Sequence, residues 1–438
     1  MKVDVSNKNL NEVRSKYKER EGVELYSQSF ASPIELVDPC IRASQQGKYL
    51  LGLQDASGVV YKAFAMESNL VAITSKQAGP QKIPRKRGAH KTVQAATVYR
   101  YDPNTRTATE VGQQILLKSR NSPEAKQAAA CINKEIGLLK SGTIPCTPCL
   151  IGTFTYYGKR IQKQAYVTKR FDGDLFDFYD RKLHLNRRIC LEALIKVVEI
   201  LGEWRKKKLV HLDMKVDNFV YRLVGQYDVK FDGTVYKTDT DGTVYKIAKE
   251  GTVYQITGDS ERLIQKDDIV EIEVCVIDVA SVQSADESIK VANWRKDASW
   301  TWEYSAPEWV EIISATDLCN HTNQEIANHD VFSVGMIIYF LLGESYHWKH
   351  PVLDKLKYAG FSTKEVKEKK RTWEDLNRNE KAYRYETPWQ VVSGMLKKDP
   401  SQRMLPDQAS ALLKEGLCQC NVEGRFKSIK QPVCNFFE

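Results

Sequence analysis

The chain has 438 residues and a mass of 50.1 kDa, with 42% hydrophobic and 28% charged residues. That length suits one large two-lobed domain with insertions, or two domains, and the balance excludes a disordered, collagen-like or membrane-dominated protein. The net charge of +9, from 65 basic and 56 acidic residues, permits acidic partners without selecting any class of them.

The longest apolar run, residues 331–342, is too short to span a bilayer. The N-terminus is polar and lacks the apolar core of a secretory signal. Ten cysteines in a chain of this size read as reduced thiols, which implies a cytoplasmic setting. Cys146 and Cys149 form a lone CxxC pair. A zinc site needs a second pair, so both read as ordinary cysteines.

In chain order, residues 1–30 are charged and helical in flavour. Residues 47–75 alternate apolar and polar side chains and predict strands. A basic stretch, QKIPRKRGAHK, follows and reads first as a solvated face. Two further strand-like runs, TVQAATVYRYD and TEVGQQILLKS, flank a Pro-Asn turn. Residues 122–140 predict a helix, with Ala128, Cys131, Ile132, Ile136 and Leu139 on one face. Beyond residue 174 the period is mostly helical. One repeat interrupts it: Gly-Thr-Val-Tyr starts at Gly233, Gly242 and Gly251, at intervals of nine. Turn glycines before strand-forming residues predict a small β-meander inserted at 226–268.

The chemistry concentrates in the string LVHLDMKVDNFV over residues 209–220. Phosphoryl transfer to a hydroxyl needs a carboxylate base, a cation on the moving phosphate and an oxygen ligand for magnesium. Asp213, Lys215 and Asn218 carry those three functions at a demanding spacing.

Here the chain resembles the eukaryotic-type Ser/Thr protein kinase family, as a divergent member. His211 and Asp213 begin the catalytic-loop motif, with Leu212 where the family has Arg. Asp278, after an apolar strand, resembles the D-F-G aspartate, with Val279 and Ala280 following it. Thr301 through Glu308 is similar to T-x-x-Y-x-A-P-E. Asp330 opens a D-x-W-S-x-G-like helix, and Arg403 closes a D-P-x-x-R motif. The resemblance implies an α+β, two-lobed protein kinase fold with a β-rich small lobe and a mainly helical large lobe. It implies ATP and Mg2+ as cofactors, with Asn218 and Asp278 on the metal. It implies Asp213 as base, Lys215 and Thr301 beside it, and a structural Glu308–Arg403 pair.

Upstream, Lys118 ends a strand-like run and Glu135 lies 17 residues later in the helix, a spacing similar to the family's nucleotide lysine and its partner. Gly88 and Val93 then mark the glycine-rich loop, in competition with a second segment around Gly58 and Lys76. Thr168 falls at the gatekeeper, and Lys169 to Phe171 at the adenine-binding hinge. The implied organisation is an N-terminal extension with extra strands (1–80), small lobe (81–170), large lobe (171–415) and tail (416–438).

Leu212 cannot tie a phosphorylated activation segment, so activity should depend less on such phosphorylation. A protein substrate is expected, and a nucleic-acid partner is not. The alternatives are a pseudokinase-like scaffold and a small-molecule phosphotransferase of the same fold. The intact Lys118, Asp213, Asn218 and Asp278 argue against the first. Lys215 and the A-P-E segment argue against the second. The large insertion and divergent motifs are similar in style to kinases that intracellular bacteria or viruses deliver to host cells. Physiological substrate and oligomeric state stay open.

Overall fold

A computed structural model describes residues 23–25, 29–30, 33–45, 49–51, 53–55, 60–76, 91–119, 125–157, 162–265, 268–285, 288–290, 301, 304–306, 308–309, 320–342, 386–397 and 399–421. The chain is mixed α+β and divides into two compact units. One comprises Met1–Ile144 with Pro148–Phe171, the other Pro145–Thr147 with Asp172–Glu438.

In the first unit, β1 (Val23–Leu25) lies parallel to β3 (Tyr49–Leu51). Strands thus stand where the sequence reads as helical before residue 30; residues 1–22 lie outside the described residues. An eight-stranded sheet runs in the order β2 (Ser29–Phe30), β4 (Leu53–Asp55), β5 (Val60–Ala65), β6 (Leu70–Lys76), β7 (Lys91–Asp102), β8 (Thr107–Ser119), β10 (Gln162–Lys169), β9 (Leu150–Tyr157). It is antiparallel except for β2 and β4. The expected boundary at residue 80 falls inside this sheet, because β6 pairs with β7 from Leu70↔Arg100 to Ile73↔Thr97. The strands of 53–76 are therefore part of one β-sheet with those that follow.

The β7–β8 hairpin turns where Asn104 N–H donates to Asp102 Oδ1 at 2.8 Å, an Asx turn. Opposite a register shift at Val98/Tyr99, Val111 is the extra residue of a bulge. Side chains alternate across the sheet. One face packs Ala63, Val71, Ile73 and Tyr99 against Val37, Cys40 and Ile41 of helix α1 (Val37–Gln45). Tyr101 Oη donates to Asp38 Oδ1 at 2.5 Å beside this cluster. Phe64, Ala72, Val98, Phe154 and Val167 form the cluster of the other face. Helix α2 (Ala125–Ser141) places Ile132 and Ile136 against Tyr166, with Val93, Leu139 and Leu150 around them.

The second unit is built around α4 (Arg187–Lys206), which follows the short helix α3 (Leu175–Asp180). Asp174 and Asp177 form a capping box at the start of α3. Asn186 caps α4 by accepting from Ile189 N–H at 3.2 Å. Leu191, Leu194, Val198, Leu201 and Trp204 are all buried, so α4 is a core helix covered on most sides. It packs against α5 (Asn323–Leu341) and α7 (Pro406–Cys418), while α6 (Glu386–Met395) contacts those two. No helix among the described residues is long and apolar enough to cross a membrane.

Three small sheets accompany these helices. They are β11 (Gly173–Asp174), β13 (Phe219–Leu223) and β19 (Ile272–Val276) in one sheet; β12 (Leu209–Val210) with β20 (Gln283–Ser284); and β21 (Ser288–Lys290) with β22 (Asn320–Thr322). Between β13 and β19 the chain makes a five-stranded antiparallel meander: β14 (Gln226–Val229), β15 (Val235–Thr238), β16 (Val244–Ile247), β17 (Val253–Thr257) and β18 (Ser260–Ile264).

The repeat sets the meander's geometry. Gly233, Gly242 and Gly251 take φ of +91°, +85° and +93°, which L side chains rarely adopt. Register aligns Val235, Ile247 and Val253 on one face, and all three are buried. The meander is docked on the residues around the start of α4. The buried Asn186 Nδ2 donates to the carbonyls of Gly233 (3.0 Å), Ile247 (3.2 Å) and Ala248 (3.2 Å). Arg188 Nε donates to Gly251 O at 2.8 Å, and Arg187 N–H to Lys249 O at 2.8 Å.

Candidate active site

The loop between β12 and β13 carries the polar string, and both of its ends are tied down. Before it, β12 pairs with β20, extended by Ala285 N–H donating to Lys208 O at 2.6 Å. After it, β13 pairs with β19 from Phe219↔Val276 to Leu223↔Ile272. Inside it, Asp330 of α5 accepts His211 N–H at 2.6 Å and Leu212 N–H at 3.0 Å. Leu212 has φ +67°, a costly backbone for a branched residue, so these two bonds hold a turn the chain does not favour. Burial alone would raise the Asp330 carboxyl. The hydrogen bonds and charge of His329, with the His211 backbone, outweigh it and hold Asp330 below its ordinary value.

His211 is buried and stacks on Trp204 with ring centroids 5.5 Å apart. Its Nδ1 accepts from Asp213 N–H at 3.3 Å, which assigns the ring proton to Nε2, 3.4 Å from Ile277 O.

Asp213 is 7% exposed, and both carboxylate oxygens are engaged. Thr301 Oγ1 donates to Oδ1 at 2.9 Å, and Lys215 Nζ donates to Oδ2 at 2.9 Å. Lys215 Nζ also reaches Thr301 Oγ1 at 2.9 Å, which closes a triangle. Asn218 Nδ2 donates to the Asp213 backbone carbonyl at 2.8 Å. The carboxylate is thus held in one orientation, with a cation beside it that can also meet an incoming anion.

Asn218 and Asp278 stand at adjoining ends of β13 and β19, where Ile277 N–H donates to Asn218 O at 2.8 Å. Asp278 takes φ +64°, a left-handed turn that Asp tolerates better than most residues. Among the described residues no group of three or more His, Cys, Asp or Glu could hold a metal ion. Two hard oxygen donors suit Mg2+ when phosphate and water oxygens complete its octahedron.

Glu308 and Arg403 meet as a two-pronged pair, with Nη1–Oε1 at 2.5 Å and Nη2–Oε2 at 2.7 Å. Arg403 also donates to the carbonyls of Lys397 (2.9 Å) and Asn328 (2.8 Å) and lies over the Phe332 ring. This pair ties the segment after Thr301 to the start of α7.

In the first unit, Glu135 is 1% exposed, on the same face of α2 as Ile132 and Ile136. Lys118 lies near the end of β8, in register with Thr92 and Ala165; its side chain lies outside the described residues. Val93 is partly buried against α2. Gly88, between β6 and β7 in sequence, and Gly58, between β4 and β5, lie outside the described residues. Thr168 is buried, and Lys169 ends β10 two residues before the buried Phe171.

The sequence reading passes over His329, whose ring lies 3.4 Å from Asp330. The available signal was a His-Asp pair opening a mostly apolar stretch, HDVFSVGMIIYF. In comparisons with known proteins, no family model matches the chain and no curated protein matches it.

Proposed function

We propose that this chain is a Ser/Thr protein kinase of two-lobed fold, transferring the γ-phosphate of ATP to hydroxyls of protein substrates. The observation that carries the proposal is the closed triangle of Asp213, Lys215 and Thr301 with Asn218 behind it. Asp213 orients the acceptor hydroxyl and takes its proton. Lys215, already beside that carboxylate, offsets charge on the moving phosphoryl group. Thr301 and Asn218 keep the carboxylate from rotating. Asn218 and Asp278 would hold Mg2+, which when bound neutralises phosphate charge.

Lys118 is the nucleotide lysine in this proposal, Glu135 its acidic partner and Thr168 the gatekeeper, with backbone groups from Lys169 to Phe171 for the adenine. Gly88, with Val93 after it on β7, marks the phosphate-covering loop in this proposal. The engaged Asp213 and Lys215 support an enzyme over a scaffold. A direct test incubates the protein with γ-labelled ATP, magnesium and a generic basic acceptor protein. Label on serine or threonine is the expected result. ATP binding without transfer would favour the scaffold, and transfer only to a small molecule would favour the small-molecule phosphotransferase.

A further inference from the structure

Asp330 holds two backbone N–H groups of the catalytic loop, but one neighbour in turn holds Asp330. His329 is 1% exposed, and its Nδ1 lies 3.4 Å from Asp330 Oδ1. The same Oδ1 accepts Leu212 N–H, while Oδ2 accepts His211 N–H. No partner for His329 Nε2 is found among the described residues. The ring edge meets the Trp309 indole at a centroid distance of 5.6 Å and 64° between planes.

An imidazole buried this deeply with one polar contact is a poor choice for packing alone, since a phenyl or isobutyl group fills such space without desolvating a nitrogen. Its polar contact is with the Asp330 carboxylate. That contact fixes the proton on Nδ1 and limits rotation of the carboxylate, while Trp309 limits rotation of the ring. Arg205 of α4 adds a favourable charge toward Asp330 while binding Asn328 Oδ1 at 3.0 Å. It is a second support for the carboxylate.

We infer that His329 is a positioning residue for phosphoryl transfer: through Asp330 it sets the backbone of His211 and Leu212, and so the placement of Asp213. The catalytic consequence rests on the kinase proposal; the effect on the loop backbone does not.

The test uses the full chain with His329→Phe, which keeps a ring and removes the donor, and His329→Asn, which keeps a donor near the Nδ1 position. Amide hydrogen exchange is read over residues 209–214, alongside kcat and KM for ATP with a generic protein acceptor. In His329→Phe, exchange of this segment should rise at least about 10-fold, and kcat should fall about 10- to 100-fold with KM for ATP unchanged, the scale of a small misplacement of a reacting group. His329→Asn should restore both. If the Phe variant does not fold, His329→Leu takes its place. Wild-type exchange and kcat in a folded donor-less variant would overturn the inference. So would equal losses in the donor-less and Asn variants, which would mark a packing role. If the wild-type protein transfers no phosphate, the kinase proposal fails, while the exchange measurement still decides whether His329 orders the loop.

Discussion

The loop of residues 211–218 and the meander that follows it are built on opposite plans. The loop has little regular structure of its own and is held by side chains from far along the chain: Thr301 on Asp213, Asp330 on the His211 and Leu212 amides. The meander is held by local backbone ladders and turn glycines, and distant residues serve only to dock it. A site that must place a carboxylate in one orientation uses single, non-repeated contacts. A brace can be made by repeating one nine-residue unit. Within the meander the same turn has two uses: a Cβ at Gly233 or Gly251 would meet Leu185, or Arg188 and Cys420, while one at Gly242 would meet nothing within 4 Å.

The docked meander should be indispensable to its unit. Replacing residues 230–262 with a short Gly-Ser linker removes the buried Val235, Ile247 and Val253 and the acceptors of Asn186 and Arg188. Lost apolar contacts and stranded polar groups should together cost more than about 5 kcal/mol, read as loss of cooperative melting in the second unit. A stably folded, active deletion variant would show the meander to be a detachable flap. Ile247→Ala alone should cost about 3 kcal/mol in urea unfolding, the usual range for a fully buried aliphatic side chain. A cost under about 1 kcal/mol would show that this face carries little load.

His184, just before the docking residues, sharpens the comparison through pH. It is buried and stacked on Tyr179 at 4.0 Å. Burial, then the charge of Lys182, pushes it down from 6.5 to about 4. The unfolded chain therefore binds the extra proton first as pH falls. Stability should drop as pH falls below about 6.5, with the loss complete below about 4. Between pH 7 and 5 the loss should be about 2 kcal/mol in urea midpoints, and His184→Phe should flatten the profile. An unchanged slope in that variant would assign the pH effect elsewhere.

The smallest effect separates the two uses of the turn. Gly233→Ala would bring a methyl 2.8 Å from Leu185 Cβ; Gly242→Ala meets open space at a similar φ. Both pay backbone strain of about 1 kcal/mol, and Gly233→Ala should cost roughly 1 kcal/mol more. Equal melting shifts would contradict the docked geometry.

These contrasts also explain what could be read from the amino-acid sequence. The meander's strands at 226–264 were legible because turn and strand residues recur at a fixed interval. The residues that dock it were not, because Asn186 and Arg188 are ordinary residues of a helix start whose partners lie 47 to 63 positions away. Asp213, Lys215 and Asn218 were legible as a spaced string. Thr301 could be placed beside them only through resemblance, since no local pattern links residues 88 apart. The helix at 125–141 followed from its apolar face. The strands before residue 30 were hidden by charged composition, and the unity of the eight-stranded sheet by the basic segment inside it.

The central claim is that Asp213, in its triangle with Lys215 and Thr301, performs phosphoryl transfer. The most direct measurement compares γ-phosphate transfer by the wild-type protein and Asp213→Asn, with matched melting curves and ATP affinity. Removing the base should lower kcat at least about 100-fold while fold and ATP binding persist. Near-normal turnover in the folded, ATP-binding variant would contradict the assignment.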